Sequence, residues 1–273
     1  MSCKFPQTWW AVARVLSCLV LLGADPHEEE PPRGSSTWLF GLTPNYSSGT
    51  YGTGTRTDIT YVPLSIQRLF GEGDVSLVVP FISVKGDGSV VLLSGLPNRR
   101  TPLGTAPGPP VTQAGLGDIV LRGRHYLLDE QHWWPTVALT ARLKIPTASS
   151  SRGLGTGKFD EGFGMETSKF VTEKLVLYMD AGFTFVGKPA GDNFRNQWNY
   201  DVGLGYYFTN ALVAGVYFEE YRAVIEGNQN PQDVLMTLNY DLTPRVGLNA
   251  FTMIGLSDGA PEYAVSAGLA VKY

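Results

Sequence analysis

The chain has 273 residues, 43% of them hydrophobic, with 21 Lys+Arg against 25 Asp+Glu for a formal charge of −4. That acidic balance lacks the basic surface that nucleic-acid binding requires. Beyond the first two dozen residues no run of 18 consecutive apolar residues occurs, which excludes a helical membrane protein. The length suits one large all-β domain.

At the N-terminus, Lys4 and Arg14 precede an apolar run from Val15 to Leu22, then Gly23-Ala24 and the polar Asp25-Pro26-His27-Glu28-Glu29-Glu30. A short positive region, a brief apolar core and small residues before a polar break describe a secretory signal peptide over 1–24, cleaved after Ala24. Cys18 follows Val15-Leu16-Ser17 and faintly resembles a lipoprotein site, but cleavage there would leave Leu19–Leu22 as an apolar start to the mature chain. Cys3 and Cys18, the only cysteines, both lie in the leader, so the exported chain offers no disulfide, thiolate metal site or thiol nucleophile. Residues 25–36 read as a short periplasmic lead-in.

Strand-like runs follow near 37–47, 54–69, 73–86, 115–128, 133–146, 157–170, 173–187, 197–209, 211–224, 232–242, 244–255 and 262–273. Many alternate with period two: Val202, Leu204, Tyr206 and Phe208 oppose Asp201, Gly203, Gly205 and Tyr207. Links also alternate in length. Phe70–Gly73, Asp129–His132, Val171-Thr172, Asn210 and Thr243 are tight. Ser48–Thr53, Gly86–Ala114, Pro146–Thr156, Lys188–Asn196, Ile225–Pro231 and Leu256–Pro261 are longer. Short turns on one side, long loops on the other and an even strand number predict a single-domain 12-stranded antiparallel transmembrane β-barrel over 37–273, both termini periplasmic. A soluble sandwich has no reason to sort its loops this way.

Charges on a lipid-facing strand surface cost about 2–4 kcal/mol at mid-bilayer for Arg or Lys, so strand charges are expected inside. The resulting pore-lining candidates are Asp118, Arg122, Arg124, Arg142, Lys144, Glu166, Lys174, Asp180, Asp201 and Glu219, with Tyr178, Tyr207, Tyr217 and Tyr221; Asp233 is expected inward as well. Two readings of this set stay open: ion pairs and tyrosines that fill and brace the barrel, or a narrow polar channel in which the rings stack on solutes. The Gly86–Ala114 loop carries Val90-Val-Leu-Leu93, Arg99-Arg100 and five prolines from Pro97 to Pro110. It reads as a lid folded into the mouth or, alternatively, as an extension of the neighbouring strands over Gly88–Leu96.

Gly115-Leu-Gly-Asp-Ile-Val-Leu121, Pro135–Thr147 with its Leu143-Lys-Ile-Pro-Thr147 end, and Gly153-Leu-Gly-Thr-Gly157 form a motif set that resembles the phenol-degradation (MetA-pathway) outer-membrane transporter family. The resemblance implies a barrel transporter; Pro146-Thr147-Ala148 departs from the usual Pro-Thr-Gly, so the loop there is expected to turn differently. The three glycines at 153, 155 and 157 lack a following helix N-terminus and read as turn-formers where a loop re-enters the wall, not as a phosphate cradle.

The final stretch, Tyr263–Tyr273, places Tyr263, Val265, Ala267, Leu269, Val271 and Tyr273 on one face and ends on an aromatic. It resembles the closing strand that the outer-membrane insertion machinery recognises. Trp38, Trp133, Trp134 and Tyr273 are expected in interfacial girdles. His27, His125 and His132 are the only histidines. None is placed for a Ser–His hydrolase site or has metal-ligand spacing, so neither catalysis nor a cofactor is expected. The expected function is an outer-membrane channel for passive uptake of small solutes, aromatic or hydrophobic ones among them. The alternatives are a filled, non-conducting barrel acting as an adhesin or assembly anchor and, less favoured, a barrel lipid hydrolase. Expected partners are membrane lipids, the insertion machinery and a small solute.

Overall fold

A computed structural model describes residues 37–273; the expected leader, the lead-in, Cys3, Cys18 and His27 lie outside the described residues. Sixteen strands are described: β1 (Thr37–Leu42), β2 (Asn45–Gly49), β3 (Thr57–Phe70), β4 (Gly73–Gly86), β5 (Val90–Leu93), β6 (Leu96–Arg99), β7 (Val111–Leu116) and β8 (Ile119–Leu128). Then come β9 (Thr136–Ile145), β10 (Asp160–Phe170), β11 (Leu175–Phe185), β12 (Gln197–Tyr207), β13 (Leu212–Tyr221), β14 (Gln232–Thr243), β15 (Val246–Gly255) and β16 (Tyr263–Lys272).

Twelve wall strands result, because β1 with β2 and β7 with β8 are each one strand interrupted by two residues. Both halves of the first strand pair with β16 on one side and β3 on the other, which closes the barrel. Around the rest of the wall each strand pairs antiparallel with its sequence neighbour. Trp38 N–H donates to Tyr273 O and Tyr273 N–H to Trp38 O, so the first and last described strands meet at the short-turn end. Closure leaves no unpaired edge, the condition for a sheet to stand in lipid.

The interruptions have a local cause. Proline cannot donate to a ladder, and Pro44, Pro63 and Pro80 fall on adjacent wall strands, with Pro63 directly opposite Pro80. Gly117 continues the row; its N–H reaches Pro80 O at 2.8 Å before Asp118 turns aside. Predicted strands 37–47 and 115–128 are therefore broken, and the second begins earlier, at Val111.

Alternation sorts the side chains. On β12 the outward row is Trp198, Tyr200, Val202, Leu204 and Tyr206, continued by Phe208: aromatic at both ends and aliphatic between. At about 3.3 Å per residue and a tilt near 40°, this row spans about 25 Å, the height of a bilayer's apolar band. Leu64, Phe81, Leu121, Met179, Val216, Leu238, Leu248 and Val265 extend the apolar belt around the barrel, all outward and exposed. Trp133 (83% exposed), Trp134 and Tyr273 crowd the short-turn end as an interfacial girdle. An apolar exterior around an interior of buried Asp, Glu, Lys and Tyr inverts a soluble protein; this is a membrane barrel.

Candidate functional site: the barrel interior

The interior is built in three tiers. Val176, Tyr178, Tyr207, Val213, Tyr217, Leu235, Phe251, Met253 and Ala264 form an apolar cluster that rises from the short-turn ends of β11–β13 to the long-loop ends of β15 and β16. Tyr178 and Tyr217 stand 5.9 Å apart, centroid to centroid. The space for these rings comes from glycines on neighbouring strands. A Cβ at Gly205 would lie 2.9 Å from the Tyr178 ring, and at Gly203 or Gly215 it would overlap Tyr217. Tyr178, Tyr207 and Tyr217 are thus buried as packing residues, whereas Tyr221 is half-buried and borders a cavity.

The middle tier is charged. Cross-strand pairs Glu166↔Asp180, Asp180↔Asp201, Asp201↔Glu219 and Glu219↔Asp233 place five interior carboxylates in one row from β10 to β14. The adjoining strands carry the cations. Arg122 sits opposite Arg142 on β8 and β9, and Arg124 bridges Asp74 (2.7 Å) and Glu166 (3.3 Å). Glu166 also lies 3.9 Å from Arg122, and Gln67 Nε2 donates to Asp74 at 2.9 Å. Arg142 Nη2 donates to Thr184 Oγ1 at 3.0 Å, passing over Gly162, where a Cβ would come within 3.3 Å of its Nε. Lys174 stands apart from this tier: it is exposed in the turn before β11, where the Val171 and Thr172 N–H groups both bond Leu175 O.

At the long-loop end of the wall the three sequence motifs converge. Lys144, with 0% of its side chain exposed, ion-pairs with Asp160 (2.8 Å) and Asp118 (3.3 Å) and donates to Thr156 Oγ1 (2.8 Å). Asp118 Oδ1 accepts from Ala148 N–H at 2.9 Å, and Thr147 Oγ1 donates to Gly117 O at 2.8 Å. Thr147 Oγ1 also accepts from Ile119 N–H at 2.9 Å, so this knot supplies the partners that the broken strand lacks. Gly155 has no room for a side chain: a Cβ would meet Asp118 Oδ2 at 2.9 Å. Gly153 and Gly157 hold φ of 71° and 66°, as expected of turn-formers.

The upper tier is the loop between β4 and β7. Its β5–β6 hairpin turns through Ser94-Gly95, both at positive φ, a two-residue primed turn. The hairpin pairs only with itself, so it is not an extension of the wall strands. Every residue from Ser89 to Arg99 is buried. Val90 and Leu92 pack on Tyr51, Ile59, Tyr61, Ile82, Ala148 and Leu154; Val91 and Leu93 pack on Val186, Phe194, Val224 and Ile225. Arg99 donates to the carbonyls of Tyr51, Gly52, Thr101 and Pro102. Gln197 Nε2 donates to Asn98 Oδ1 at 3.0 Å, and Arg100 pairs with Asp192 at 2.7 Å.

The sequence reading missed Asp74, Asp160 and the hairpin's polar anchors. The two acids share a face with Ser76 and Gly162 respectively, so the period-two pattern already marked them as inward. The long-range anchors left no local signal. Among the described residues no group of three or more His, Cys, Asp or Glu side chains has the geometry of a metal site.

A family model described as "Putative MetA-pathway of phenol degradation" matches residues 45–273. No curated protein sequence matches the chain. Among solved structures, the COG4313 outer membrane channel from Pseudomonas putida F1 superposes with a TM-score of 0.64 at 14% identity, covering 92% of this chain and all of that one. The KdgM porin gives 0.53 at 10% identity, over 86% of this chain and 99% of its own. The NanC porin gives 0.52 at 11% identity, over 86% and 100% respectively. At these identities the likeness establishes a shared outer-membrane barrel fold.

Proposed function

Because the chain belongs to the family described as "Putative MetA-pathway of phenol degradation", we propose that it is an outer-membrane channel for passive uptake of small solutes, resting in a closed state. The observation that carries this is the middle tier. A barrel filled for rigidity alone would be expected to spend its interior on apolar packing, as the tyrosine cluster does. Here five carboxylates and three arginines instead occupy the interior, and Arg122, Arg142 and Glu166 border a small cavity of about 40 Å³. Of the charged and tyrosine residues predicted to line a pore, Arg122, Arg142, Glu166 and Tyr221 border this cavity in this reading. Aromatic or hydrophobic solutes are consistent with the family description, and neither site geometry nor relatives point to catalysis.

Residues 1–24 direct export in this account, with 25–36 as a lead-in, both barrel ends in the periplasm and the terminal Tyr273 strand engaging the insertion machinery. A second reading, a non-conducting barrel, is favoured by the buried hairpin and the tyrosine floor. Planar-bilayer recording separates the two. Discrete conductance steps from the refolded mature chain support the channel. Heat-modifiable, folded protein that never conducts supports the filled barrel.

A further inference from the structure

The interior charges are unevenly shared. Strands β11 to β15 contain no lysine or arginine, yet Asp180, Asp201, Glu219 and Asp233 face inward from four of them in succession. The middle tier's three guanidiniums, Arg122, Arg124 and Arg142, all stand on β8 and β9. Arg124 there bridges Asp74 and Glu166. With Asp74 included, six carboxylates against three arginines leave the tier with three negative charges in excess. Asp201, Glu219 and Asp233 are only 3%, 2% and 4% exposed. Thr167 N–H donates to Asp180 Oδ1 at 3.0 Å and Tyr221 OH to Glu219 Oε2 at 3.3 Å. Both donors are neutral, so these bonds hold the carboxylates in place without cancelling their charge. Asp233 goes further: its buried Oδ1 has no hydrogen-bond partner among the described residues. A bare carboxylate oxygen inside a low-dielectric wall is costly until a cation meets it.

We propose that the lumen selects for cations, and that Asp201, Glu219 and Asp233 are the residues that set this preference. The inference deepens the channel reading and rests on it: the solute class becomes cationic or uncharged, with anions disfavoured. The wall closes on itself, so anything travelling the length of the barrel crosses the charged tier. Neighbouring strands stand about 4.8 Å apart, so the inward acids of β12, β13 and β14 form a line of closely spaced stations. A cation leaving one carboxylate meets the next before it regains bulk water, the condition for binding that does not trap. Low-dielectric walls lined with one sign of charge focus the field, concentrate the counter-ion and hold the opposite sign out. The arginines on β8 and β9 do not reverse that sign, because the carboxylates outnumber them.

The test is the reversal potential of the refolded mature chain in a planar bilayer under a potassium chloride gradient. Potassium should be at least about tenfold more permeant than chloride. Asp201→Asn/Asp233→Asn, which keeps the side-chain shapes and removes two charges, should lower that ratio severalfold. Raising the mean salt to about 1 M, where the screening length falls to about 3 Å, should lower it in the unaltered protein too. Equal permeabilities, or a preference for chloride, in the unaltered protein overturn the proposal without relying on any variant. Native selectivity in a folded, conducting double variant overturns the assignment to these residues. Conductance without cation preference removes this inference and leaves the channel reading standing. A folded barrel that never conducts removes the channel reading and this inference together.

Discussion

Lys144 shows how one buried charge is made tolerable. Its ammonium ion-pairs with Asp118 and Asp160 and donates to Thr156, and the two carboxylates accept N–H groups from Ala148 and Gly187. Removing the cation leaves two buried carboxylates facing each other. Lys144→Met should therefore cost about 3–5 kcal/mol, the usual result of breaking a buried pair from one side. Urea unfolding in phospholipid vesicles, followed by tryptophan fluorescence, measures it, and an unchanged midpoint contradicts the assignment. At the loop surface, Arg56 and Glu262 pair at 2.6 Å and join the 50–56 loop to the residue that precedes β16. The hydrogen bond from Arg56 holds the Glu262 carboxyl below its ordinary range. That contribution is complete above the ordinary carboxylate range and is lost as pH falls through the lowered value. A spin label at Thr53 should gain mobility as pH is lowered from about 7 until the Glu262 carboxylate, held below the free Glu value of about 4.3, is protonated. Glu262→Gln should make it mobile at neutral pH as well. A label indifferent to pH in the unaltered protein would contradict the bridge.

At the scale of elements, the β5–β6 hairpin decides whether the interior communicates with the mouth. It has no strand partner in the wall and is held by two apolar faces and the Arg99 bonds, so it can leave without breaking the barrel ladder. Deleting 90–99 removes the buried hairpin from the long-loop end of the lumen and should raise single-channel conductance severalfold. Unchanged conductance in a folded deletion protein would show that the hairpin is no lid. Arg99→Ala should produce a weaker form of the same effect, as longer or more frequent open dwells, since Tyr51 and Gly52 lose its guanidinium.

At the scale of the molecule, the barrel was legible because its physics is periodic. Outward Val202-x-Leu204-x-Tyr206 against inward Asp201-x-Gly203-x-Gly205 can be read from a dozen residues, and loop sorting supplied closure and strand number. Interior charges followed from the cost of placing them in lipid. What stayed hidden depends on contacts between distant segments. Asp118 and Lys144 looked like two pore charges until the fold brought Asp160 and Thr156 to them. The tyrosines' packing role required knowing which glycines faced them, a matter of register. The hairpin's place in the mouth was one of two readings its composition allowed, and burial on both faces distinguishes them.

The most direct test of this account is planar-bilayer recording of the refolded chain, native and lacking residues 90–99, side by side. The account predicts small or infrequent steps from the native barrel and larger, more persistent ones from the deletion protein. Folded, heat-modifiable barrels of both kinds that leave the bilayer silent would contradict it.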